Sequence, residues 1–199
     1  PKFAAHQDAI SLNPVLFKRI KDLYDARESL GLNSEDAWLL ERYYKDLIHE
    51  GAHLTEAQRD RLKELNEELS SLETQFSKNV LADTNDLAIL VDSVEELDGL
   101  SENQIAAAAA AAKDRGHDGK WLIGMVNFTG NPVLDSLTNR ELRKKIMEDS
   151  KLKANRPNEN DNKPVLLQLV KLRAERAKLF GKETHAEHVI AVQTAEHPD

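Results

Sequence analysis

The stretch TEAQRDRLKELNEELSSLETQFSKNV, residues 55–80, carries apolar side chains at Leu62, Leu65, Leu69, Leu72, Phe76 and Val80. Successive spacings of 3, 4, 3, 4 and 4 residues place all six on one face of an α-helix. Thr55 and Gln58 stand in the capping-box relation, in which two side chains satisfy orphan backbone N–H groups reciprocally. The helix is therefore predicted to open at Thr55 and to run to about Asp83. Its stripe spans barely three heptads, which favours an ordinary buried helix packed against its neighbours. The alternative is a seam from Leu62 to Phe76 through which the chain self-associates as a helical module.

Helix punctuation is legible on both sides of this stretch. Asn13-Pro14 sets an N-cap before a proline at the first helical position, and the helix it opens is predicted to pass Leu16, Ile20 and Leu23 before stopping near Gly31. Ser101-x-x-Gln104, Thr138-x-x-Glu141 and Thr184-x-x-Glu187 repeat the capping box, and Leu100 with Ile105 and Leu137 with Leu142 form staple pairs. Gly31, Gly51, Gly116 and Gly181 follow helical runs, where a left-handed cap favours glycine. Two short β-rich runs, 87–91 and 121–126, are predicted to pair antiparallel around an inserted helix over 101–116 that contains the alanine run 106–112. After the polar loop at 155–162, a last long helix opens near Pro164 and ends at Gly181. The reading is a mainly α fold: one antiparallel helical scaffold over 1–199, with a small β-hairpin near 87–91 and 121–126.

Composition agrees. Among 199 residues there are only 8 glycines and 6 prolines, and 31% of the chain is charged. With 27 Lys and Arg against 35 Asp and Glu, the net charge of -8 argues against nucleic acid as a partner. No run approaches the roughly 18 apolar residues of a membrane span, so no membrane partner is expected. The lack of cysteine removes disulfides, thiol catalysis and thiolate metal sites. The first residues show no signal peptide, and together with the absent cysteine this points to the cytoplasm. They also lack an initiating Met, so the chain is expected to begin inside a longer one.

The sharpest chemical pattern is His49-Glu50-Gly51-Ala52-His53, a literal His-Glu-x-x-His. In zinc peptidases such histidines share one helical face and hold the metal, while the glutamate acts as general base on the bound water. Here Gly51 interrupts the motif, and the Thr55 cap follows so closely that His53 falls in a turn. If Gly51 ends the preceding helix, the two imidazoles do not share a face. The expectation is a helix end rather than a zinc site, with a small zincin built on His49, Glu50 and His53 as the rival. His185 and His188, near His197, read as a solvated helix start. The basic run from Lys163 to Lys182 reads as a solvated face whose late cations complement the helix dipole.

Longer phrases resemble a known family. FAAHQDAISLN (3–13), followed by Leu16-Phe17 and Arg19-Ile20, is similar to an internal segment of the thimet oligopeptidase family of zinc metallopeptidases, on its bacterial peptidyl-dipeptidase branch. The stretch 39–81, then DGKW at 118–121, then NDNKPVLLQLVKLRAERAKLFGKETHAEH at 160–188 continue the likeness in order. The resemblance implies an almost wholly helical, two-lobed enzyme whose deep channel admits short peptides. It also implies that the catalytic His-Glu-x-x-His helix and the third glutamate ligand lie later in a longer polypeptide. No catalytic, cofactor or metal residue carries over onto any position here. On this reading the chain is an inactive, internal helical fragment forming part of a channel wall, with zinc bound only in the intact enzyme. Its partners are then the remainder of its own polypeptide and, in that enzyme, short peptides.

Overall fold

The computed structural model describes residues 2–195, 197 and 198, and only the backbone of 127–131. Helices α1 (Lys2–Ser11), α2 (Pro14–Asp25), α3 (Ser34–Glu50) and α4 (Glu56–Asp86) lead into strand β1 (Ile89–Val91). Then follow α5 (Glu102–Asp114), β2 (Trp121–Ile123), α6 (Asn127–Ser136), α7 (Arg140–Ser150), α8 (Lys163–Leu179) and α9 (His185–Ile190). The fold is mainly α with one small antiparallel sheet, as the periodicity predicts. Contacts cluster into two compact units, Pro1–Thr74 with Leu167–Asp199 and Gln75–Leu166. No helix of the described residues is long and apolar enough to cross a membrane.

In the first unit, Asn13 caps α2 by accepting from the Val15 and Leu16 N–H groups. The helix ends at Asp25, earlier than Gly31, and a 3-10 turn over Arg27–Ser29 fills the gap. Helix α3 packs on α2 through aromatic rings: Tyr24 stacks on Tyr44 with centroids 4.0 Å apart, and Phe17 lies 6.2 Å from Tyr44. Helix α4 opens with the predicted reciprocal cap, Gln58 N–H donating to Thr55 Oγ1 and Thr55 N–H to Gln58 Oε1. Its stripe is internal: Leu62, Leu65 and Leu69 are all buried, and Leu62 forms a core with Leu12 and Leu54 against Leu179 and Phe180. A seam already covered in this way has no apolar face left at these positions for a second copy.

In the second unit, β1 and β2 pair with Ile89 opposite Ile123, Leu90 opposite Leu122 and Val91 opposite Trp121. Strand β1 is shorter than 87–91 because the Leu87 N–H still donates to Asp83 O as the tail of α4. The sheet supplies Ile89, Val91 and Ile123 to a core completed by Leu97, Met125, Val133, Leu137, Leu142 and Ile146. Helix α5 carries the full capping box between Ser101 and Gln104. The box predicted at Thr138 is not formed. Thr138 Oγ1 instead donates to Asp98, and Asn139 becomes the cap of α7, accepting from the Leu142 N–H at 3.1 Å. Gly99 makes this approach possible: at φ +92°, a Cβ there would sit 2.1 Å from Ser136 O.

The polar loop of 155–162 is organised by one carboxylate on α4. Asp83 is fully buried and accepts from the Ala154 N–H at 2.7 Å, Arg156 Nη2 at 2.6 Å and Asn160 Nδ2 at 2.9 Å. The Arg156 guanidinium beside it holds its carboxyl well below the usual range, against the opposing effect of burial. Beside this network, Asn79 Nδ2 donates to Asn162 Oδ1, and Asn162 Nδ2 donates to Phe76 O. Asp83→Ala removes the acceptor, leaves the Ala154 N–H and the Asn160 amide without it, and reduces the Arg156 ion pairing to Asp86 alone, a loss of about 3–5 kcal/mol. Urea unfolding of the variant should therefore show a much lower midpoint, whereas Asp86→Ala, at the exposed end of the same arginine, should change it little.

Candidate functional site

The His-Glu-x-x-His segment lies in the first unit, at the end of α3. The helix stops at Gly51, whose φ of +103° is left-handed and whose N–H donates to Leu47 O and Ile48 O. A Cβ at Gly51 would approach Leu62 Cδ2 to 2.7 Å and Phe180 Cζ to 3.1 Å, so both the turn and the core require glycine. His49 is in the last helical turn. His53 lies beyond the cap, exposed, with its ring tilted 53° to Phe180 at 6.3 Å. The two imidazoles therefore do not share a helical face. Among the described residues, no group of three or more His, Asp and Glu side chains is gathered as a metal site.

What His49 meets is another histidine. Its ring stacks on His188 at 4.5 Å and 9°, and His188 stacks in turn on Phe180 at 4.2 Å. His188 is buried, so the solvated helix start expected at His185 and His188 is corrected. The reason is the turn after Gly181, which folds α9 back onto the ends of α3 and α8. Thr184 still caps α9 through the Glu187 N–H, but the Glu187 carboxylate accepts from the Glu183 N–H, so the predicted box is only half formed. Burial first, then the charges of His49 and Arg176, push His188 down to about 4. Burial likewise lowers His49 and His185. The stack is neutral at physiological pH.

Beside it runs a polar chain. Arg176 Nη1 donates to Asn66 Oδ1 at 3.3 Å, and Asn66 Nδ2 donates to Asp8 Oδ1 at 2.9 Å. Burial raises the pKa of Asp8 and lowers that of Arg176. The basic run on α8 is thus only partly a solvated face: Arg173 pairs with Glu73, Glu175 pairs with Arg61, and Arg176 turns inward. Nothing in the sequence distinguishes Arg176 from its neighbours, because its role depends on Asp8 and Asn66, far away in the chain. Asp83 did leave a signal, since it falls on the apolar face of α4, seven residues after Phe76.

The chain belongs to the thimet oligopeptidase family of metallopeptidases, peptidase family M3, whose model matches residues 133–199. Peptidases of this family are in general zinc-dependent. The chain is 37% identical to the dipeptidyl carboxypeptidase of Escherichia coli over 190 residues, 96% of this chain and 28% of that protein. It is 33% identical to the dipeptidyl carboxypeptidase of Salmonella typhimurium over 197 residues, 99% of this chain and 29% of that one. It is also 28% identical to oligopeptidase A of Salmonella typhimurium, over 100% of this chain and 30% of that protein. The chain therefore spans less than a third of the length of these relatives.

Two outcomes test the site. Gly51→Ala should destabilise the fold by about 1–3 kcal/mol, read as a lower unfolding midpoint, because a Cβ there needs both a strained φ and a displaced Leu62. His188 has an ordinary value of 6.5 when unfolded and about 4 when folded. The unfolded state therefore binds more protons between these values, so the stability contributed by the neutral ring is complete above 6.5 and lost as the pH falls toward 4. His188→Phe keeps a flat ring in the stack and should flatten that acid slope in a pH series of unfolding curves.

Proposed function

We propose that this chain is a non-catalytic, helical wall segment of a zinc peptidyl-dipeptidase that releases dipeptides from the C-terminus of short peptides. In this reading the 199 residues form one continuous helical region of a larger two-lobed enzyme. The metal, its ligands and the general base come from the remainder of the polypeptide, where zinc-activated water supplies the nucleophile. The observation that carries the reading is the likeness to two dipeptidyl carboxypeptidases across 96% and 99% of this chain.

The chain's own donors do not fit a catalytic zinc ion. A His-Glu-x-x-His site needs unbroken helix from its first histidine to the second, four positions on, and α3 ends at Gly51. His49 is occupied in a ring stack and His53 stands exposed beyond the cap. We therefore assign no step of peptide hydrolysis to His49, Glu50 or His53. The exposure of Val15, Trp38, Leu167 and Val170 further supports a larger polypeptide, since such side chains are commonly covered by neighbouring chain.

The experiment is a zinc and activity assay on the full-length polypeptide with His49→Ala. Unchanged zinc content and unchanged dipeptide release are expected. Loss of the metal together with the activity would return the catalytic centre to this chain. The purified 199-residue chain, dialysed against metal-free buffer, is expected to retain no zinc.

A further inference from the structure

A cleft of about 270 Å³ opens in the first unit between the ends of α3 and α8 and the start of α9. Its lining includes His49, Glu50, Asn66, Arg176, His188 and Gln193. A single water needs only about 10–15 Å³, so the space suits a small organic molecule.

The group that calls for a ligand is Arg176. A guanidinium stays charged in proteins and presents a fixed fork of donors. Here one arm of that fork reaches only the Asn66 amide, at 3.3 Å, and Nε is buried with no hydrogen-bond partner. Among the described residues no carboxylate forms an ion pair with Arg176, although its neighbour Arg173 has Glu73. Asp8 reaches Arg176 only through Asn66, and burial weakens Asp8 as an anion. The missing partner is therefore an external acceptor that carries negative charge, and a planar carboxylate matches the fork best.

The remaining walls narrow the choice. Glu50 is exposed at the rim and disfavours a multiply charged anion, while offering a counter-charge to an ammonium group. The stacked, neutral imidazoles of His49 and His188 line the cleft without adding charge. We propose that this cleft binds a free amino acid or small dipeptide, its carboxylate on Arg176 and its ammonium on Glu50. Binding here is independent of peptide hydrolysis elsewhere in the polypeptide, so a polypeptide that released no dipeptide would still be expected to bind.

Calorimetric titration of the full-length polypeptide with alanylalanine, alanine, propionate and inorganic phosphate tests this assignment. Alanylalanine or alanine should bind at least about tenfold more tightly than propionate, and Arg176→Gln should abolish that binding event. Binding that survives Arg176→Gln belongs to another part of the polypeptide. Should the glutamine variant fail to fold, Arg176→Lys keeps the charge, removes the Nε donor and should show the same loss. Glu50→Gln, at an exposed position, should weaken alanine and alanylalanine while leaving propionate unchanged. Equal, Arg176-dependent binding of propionate or phosphate would overturn the amino-acid assignment in favour of a general anion site. Isotherms identical in the wild type and the Arg176 variants, for every probe, would overturn the site itself.

Discussion

The second unit is organised around one buried negative charge. Asp83 has no access to water, and a carboxylate in that position is tolerated only if every lone pair finds a donor. The donors come from the chain that follows α7: the Ala154 N–H, the Arg156 fork and the Asn160 amide. Holding the Ala154 N–H toward the carboxylate accompanies a φ of 52° at that residue, a conformation that L residues adopt only under constraint. The loop between α7 and α8 is therefore fixed from inside, by a side chain on α4. The adjoining Asn79–Asn162 bond extends the same logic to the N-terminus of α8.

The first unit handles its polar groups differently. The neutral rings of His49 and His188 are stacked on Phe180 as if they were aromatic core, while the charge of Arg176 is passed through Asn66 toward Asp8. A motif familiar from zinc enzymes is thus dismantled by a single backbone requirement. Gly51 must be left-handed and must lack a Cβ, and a helix that ends there cannot present two histidines a turn apart. Pattern and context were both written in the sequence, and the context is the part that the backbone obeys.

Helix ends were the most legible features, because capping depends on residues only three or four apart. The caps at Asn13, Thr55 and Ser101 and the left-handed glycines at 31, 51, 116 and 181 could all be read locally. The exception at Thr138 shows the limit of such reading: its hydroxyl is claimed by Asp98, forty residues away, and Asn139 takes over the cap. The inward turn of Arg176 and the burial of His188 were illegible for the same reason. Each depends on which distant segment arrives, and only tertiary structure decides that. Asp83 lies between these cases: in the sequence it marks only the approximate end of the helix, although it stands in register with the apolar face seven residues after Phe76, and its partners arrive from 154–160.

The sheet carries a consequence for how the chain folds. Residues 89–91 pair with 121–123, so about thirty residues must be looped before the first ladder bond forms. Nearly half of that loop is α5, whose alanine run gives it high local helix propensity. Helices of this kind form in well under a microsecond-scale search for partners, whereas strand pairing is slower. A preformed α5, about 20 Å long, replaces a flexible loop by a rigid strut and leaves only short tethers to be ordered. The alanines that contribute no chemistry thus lower the entropic cost of closing the sheet, and the core beneath it.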